Sequence, residues 1–153
     1  MSRRFARALP FLFASLAFAT ITHATEAEHV RASAAWIRVL PGDLPAGGYV
    51  MLENTGDQNA TLRDARSTRY ASVMLHKSSS DGGVSRMAIV DDMPIPAHGK
   101  AELSPGGYHL MLMKPAAPVK VGDKVTLTLT FGDGSTLDTE FVARPANATG
   151  FGD

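Results

Sequence analysis

The sequence predicts an all-β fold, a single antiparallel β-sandwich with Greek-key connections. Three observations carry that expectation. Short runs of alternating or β-branched residues recur along the chain. Clusters rich in Gly, Pro, Asn and Asp ("NTGD", "SDGG", "SPGG", "GDGS") punctuate them as turns. No amphipathic helix of useful length interrupts the series. Many short strands so spaced are the pattern of a sandwich or barrel.

The elements follow in order. Residues 1–24 are basic in "MSRRFAR", apolar in "ALPFLFASLAFATI", and close on "THA". That layout reads as a secretory signal peptide cleaved after Ala24. The apolar run is short for a membrane span, and no cysteine follows it to carry a lipid. One domain is expected over 25–145, with a frayed polar tail over 146–153. Within the domain, "VRASAAWIRV" (30–39) and "GGYVMLEN" (47–54) read as strands, with Trp36 and Tyr49 as core aromatics. Further strands are expected at 60–66, 72–78, 84–90, 99–103 and 107–113. "KVTLTLTF" (124–131) sets Val125, Leu127, Leu129 and Phe131 on one face and threonines on the other, a half-buried strand. The last strand is expected at 136–143.

Charge and composition exclude several functions. The chain has 15 basic and 15 acidic residues; without Arg3, Arg4 and Arg7 of the leader, 12 face 15, a formal charge of −3. A mildly acidic domain lacks the basic stripe that nucleic acid requires. There is no cysteine, hence no thiolate nucleophile, disulfide exchange, Cys-bound zinc or blue-copper thiolate. G-x-S-x-G, H-E-x-x-H and the P-loop are all missing. The serines at 78–80 near His76 have only Asp81 close by, in a turn, which makes a poor triad. The expectation is a binding protein, not an enzyme.

The candidate chemistry lies in histidines and methionines. After the leader the histidines are 29, 76, 98 and 109, and the methionines 51, 74, 87, 93, 111 and 113. In "YHLMLM" (108–113), alternation places His109, Met111 and Met113 on one face of a strand and Tyr108, Leu110 and Leu112 on the other. In "VMLHKSSSDGGVSRM", a two-residue turn at Asp81-Gly82 would set His76 directly opposite Met87; a turn at Gly82-Gly83 would not. Two imidazoles and two uncharged thioethers suit soft Cu(I) rather than calcium, magnesium or zinc. Methionine is also common core filler, so a sandwich whose His/Met row is mere packing is the competing reading. Met113 lies farther along its strand, and Met74 packs beside His76. Met93 is expected in the core or at the rim, and His98 in "PAHGK" as a solvated turn residue. His29 is not at the third position of the mature chain, so an amino-terminal copper clip is not expected.

The spacing is His76, ten residues, Met87, twenty-one residues, His109, one residue, Met111. It resembles the His-x10-Met-x21-His-x-Met signature of the periplasmic copper chaperones called PCu(A)C, a cupredoxin-like family. "AWIRVLPGDLPAGGYVMLENTGD", "DGGVSRM", "PGGYHLMLM" and "GDKVTLTLTFGDGS" resemble the flanks of that family, so the likeness spans most of the mature chain. The resemblance implies a cupredoxin-like fold and a periplasmic, monomeric carrier of one Cu(I) held by His76, Met87, His109 and Met111. It implies a copper-accepting partner, a cytochrome oxidase subunit or its assembly factor. Two departures stand out: Lys77 and Met74 occupy positions where relatives often carry acids, and the tail has neither His nor Met for a second copper. A copper buffer would need the same site.

Overall fold

The computed structural model describes residues 24–153; the proposed signal peptide, apart from its last residue Ala24, lies outside the described residues. The chain begins with a four-residue helix α1 (Glu26–His29). The strands are β1 (Val30–Arg38), β2 (Ala46–Asn54), β3 (Ala60–Arg66), β4 (Tyr70–Asp81), β5 (Val84–Ile89), β6 (Met93–Ile95), β7 (Lys100–Leu103), β8 (Tyr108–Pro115), β9 (Lys124–Phe131) and β10 (Thr136–Arg144). They form one hydrogen-bonded ladder in the order β5-β4-β8-β7-β2-β1-β10-β9-β3-β6. The ladder bends round its own core, so that β6 at one end contacts β2 and β7. Among the described residues, no helix is long and apolar enough to cross a membrane.

The core follows the predicted alternation. Val125, Leu127, Leu129 and Phe131 of β9 are buried, and Thr128 turns outward to donate a hydrogen bond to Asp138 (2.6 Å). Leu75 of β4 and Leu110 and Leu112 of β8 join them in the same core. In β1 the inward set changes parity, from Val30 to Ala35 and Ile37. A bulge between Ser33 and Trp36, with Ala34 at φ 49°, supplies the extra residue.

Several details differ from expectation. β1 pairs with β10 in parallel, through Trp36 and Val142; the two strands are remote in sequence, and no turn dictates their direction. β6 was not predicted, being three residues long with a proline at its centre, which an edge position tolerates. α1 was also unforeseen, although Thr25 and Glu28 form a capping box. Glu26 anchors it by accepting hydrogen bonds from the backbone of Thr61 (2.7 Å) and Gly132 (3.2 Å).

Trp36 and Tyr49 are buried, but outside the main core. They pack against each other on the opposite face of the β1–β2 pair, beneath Ala148. The Arg38 guanidinium lies 5.4 Å from each ring, and its Nε donates to the Ala148 carbonyl (3.0 Å). Residues 146–153, expected to fray, therefore fold back over the sheet. Asp153 closes the turn by accepting hydrogen bonds from the backbone of Thr149 and Gly150.

Candidate metal centre

The site is built on three neighbouring strands, β5, β4 and β8. β4 and β8 pair antiparallel with His76 opposite His109, Met74 opposite Met111, and Ser72 opposite Met113. Because Leu75, Leu110 and Leu112 face the core, the His/Met row stands on the outer face of the sheet. The site thus lies on the flank of the sheet, toward the turn that leads into β8.

The two imidazoles are close and sheltered. Their ring centroids are 5.6 Å apart at an interplanar angle of 60°, and His76 and His109 are only 8% and 7% exposed. His109 Nδ1 lies 3.2 Å from the Gly107 carbonyl oxygen. A carbonyl can only accept, so Nδ1 carries the proton and the Nε2 lone pair of the neutral ring is left to bind a metal. The same carbonyl accepts from the Ser78 amide (3.0 Å), tying the strand start to β4. His76 differs: both its ring nitrogens are buried and neither has a hydrogen-bond partner among the described residues. Leaving a buried polar atom unsatisfied costs about 1–3 kcal/mol, which a metal bond would recover. Burial first, and the adjacent His109 second, hold the His76 pKa below the ordinary histidine value and favour the neutral, metal-binding ring.

The β4–β5 hairpin corrects one expectation. Its turn residues are Gly82 and Gly83, at φ 58° and 81°, with Asp81 opposite Val84. Two positive φ values suit a type I′ turn, and two glycines adopt them without a Cβ penalty. His76 consequently faces Ile89, and Met87 faces Ser78. Moving the turn by one residue shifts the pairing by two, so Met87 keeps the face of His76 but sits diagonal to it, about 7–8 Å away across the strands. Met87 is 54% exposed on the edge strand. The structure therefore brings His76, His109 and Met111 together and leaves Met87 at the margin. It also puts Met74, set aside as packing, in the row of Met111.

The other candidates fall elsewhere. Met93 is buried in the core. His98 is an exposed turn residue whose Nε2 lies 2.7 Å from Asp57 Oδ1. Lys77 follows His76 in sequence but projects from the other face, its ammonium 4.8 Å from the centre of the Tyr108 ring. Among the described residues, no group of three or more His, Cys, Asp or Glu side chains could hold a metal. Any ion at the two imidazoles would complete its shell with thioethers, a donor set that fits a soft monovalent cation.

Comparison with known proteins bears on this site. The profile described as "Putative lipoprotein LpqE-like" matches residues 29–143. A putative lipoprotein of Leifsonia xyli subsp. xyli is 34% identical over 116 residues, covering 75% of this chain and 69% of that protein. The apo PCuAC domain of PmoF2 superposes with a TM-score of 0.65 at 23% identity, over 80% of this chain and 94% of that one. The solution structure of CuI-DR1885 from Deinococcus radiodurans is 34% identical with a TM-score of 0.61, covering 75% and 77%.

Proposed function

The chain belongs to the LpqE-like family and has the β-sandwich of PCuAC domains, and on that premise we propose that it is a copper carrier. It binds one Cu(I) through His76, His109, Met111 and Met87 and yields it to a recipient by ligand exchange. The observation that carries this reading is the His76–His109 pair: two sheltered imidazoles, one without a hydrogen-bond partner among the described residues, beside thioethers on one face. The Deinococcus relative was solved in a Cu(I) form, which supports the choice of metal.

The ligand chemistry suits transfer. Cu(I) prefers sulfur, but uncharged thioethers hold it without the charge compensation of thiolates. An incoming thiolate or imidazole therefore displaces a thioether at modest cost. Met87, exposed on the edge strand, is the sulfur such a partner meets first. The neutral ligands add no proton inventory beyond that of the histidines. In this reading the chain is exported to the periplasm, works by binding and not by catalysis, and serves a cytochrome oxidase copper centre or its assembly factor.

Anaerobic titration of the mature domain with Cu(I), in competition with a chromophoric chelator, tests the proposal. One equivalent should bind, with Zn(II) and Cu(II) held more weakly. Met111→Ala should cost at least tenfold in affinity, the lower end of what even an outer-shell change costs a metal site, and Met87→Ala less. Both variants should keep the β-sheet circular dichroism of the parent. Unaltered copper retention in both would refute the assignment.

A further inference from the structure

The strand register points to Met74 as a further sulfur ligand, one that shares the fourth copper position with Met87. This inference rests on the copper reading above. Met74 and Met111 are direct cross-strand partners, one row along from the His76–His109 pair. Directly opposed residues on one face have Cβ atoms about 4.5–5.5 Å apart. His76, His109, Met74 and Met111 thus occupy the corners of one small rectangle on two adjacent strands.

Met87 does not share that rectangle. It pairs with Ser78, on the far side of the His76 row from Met111. Two strand spacings and a diagonal offset of four residues separate Met87 from Met111 in the register. Met87 is accordingly well placed toward His76 and poorly placed toward Met111, whereas Met74 adjoins both. Met74 is partly buried and Met87 exposed. The inner sulfur retains the ion when a partner engages the outer one, so that transfer never leaves copper on three ligands. Met113, opposite Ser72, lies one row farther from the histidines and takes no part.

The test uses Met87→Leu, Met74→Leu and their combination, with Met113→Leu as control. Leucine conserves volume and removes only the sulfur. Copper K-edge absorption on Cu(I)-loaded Met87→Leu should still show two sulfur scatterers. Adding Met74→Leu should reduce them to one and weaken Cu(I) by at least a further tenfold, whereas adding Met113→Leu should change neither. One sulfur in Met87→Leu, or no further loss on adding Met74→Leu, would overturn the role of Met74. If the double variant does not fold, the sulfur count in Met87→Leu decides. Failure of the unaltered protein to bind Cu(I) would instead remove the copper reading itself.

Discussion

His76 carries the conflict on which the site depends. It is a buried imidazole with no hydrogen-bond partner among the described residues, and so it weakens the fold that holds it. Replacing it by leucine should stabilise the copper-free domain by about 1 kcal/mol near neutral pH while abolishing tight Cu(I) binding; urea unfolding and copper competition measure the two effects. The pH dependence follows with its sign. The His76 pKa is lowered in the folded state, so protonation favours the unfolded chain. Its share of stability is complete above the unfolded histidine value of about 6.5 and is lost as pH falls through the lower folded value. The copper-free protein should therefore lose stability between about pH 7 and pH 5, and His76→Leu should lose less over that interval. Lys77 illustrates a related point: adjacent in sequence, it faces away from His76 and rests on Tyr108, so its charge lies off the metal row.

The ligand strand β8 is held from beside as well as by its own hydrogen bonds. Gly48 of β2 pairs with Leu110, and a Cβ placed there would meet Leu112 Cδ1 at 3.0 Å and Leu110 Cβ at 3.2 Å. Gly48→Ala should cost about 1–3 kcal/mol through overpacking. It should also weaken Cu(I), because relief of the clash moves β8 and with it His109 and Met111. Denaturant unfolding beside chelator competition separates the two effects; a stability loss with unaltered affinity would show that β8 does not yield. The β4–β5 hairpin is positioned by less. β5 is exposed throughout and, among the described residues, pairs only with β4, so its register depends on the turn, and Gly82-Gly83 prevails over Asp81-Gly82 because both turn residues take positive φ.

The molecule closes by tying both described termini to the sheet. At the beginning, α1 is hydrogen-bonded to β3 and to the β9–β10 turn through Glu26 and Asp133. At the end, residues 146–153 cover Trp36 and Tyr49. Trp36 is the sole tryptophan and is 4% exposed, so its fluorescence reports on that cover. A chain ending at Pro145 should show red-shifted emission and lose about 1–2 kcal/mol from apolar surface returned to water. Its Cu(I) affinity should be unaltered, since the tail lies on β1 and β2 and the His/Met row on β4 and β8. A weakened copper site in that variant would reveal coupling along the outer face of the sheet, on which Gly47 of β2 pairs with Met111.

Local pattern was enough to place most strands, because alternation reports which face of a strand is wet and Gly-rich clusters report where it turns. "KVTLTLTF" and "YHLMLM" could be read residue by residue for this reason. The family signature likewise marks His76, Met87, His109 and Met111 in the sequence itself. Two segments carried too weak a periodic signal, the three-residue β6 and the four-residue α1, although the Thr25–Glu28 capping box stood in the sequence. What a neighbouring strand decides was beyond local reading. "SDGG" offers two turns that leave Met87 on the same face yet one row apart, and only the folded hairpin selects between them. The pairing of Met74 with Met111, the parallel β1–β10 contact and the tail over Trp36 join residues distant in the chain. Their register is chosen by burial and hydrogen bonding across strands, energies that exist only once the sheet has formed.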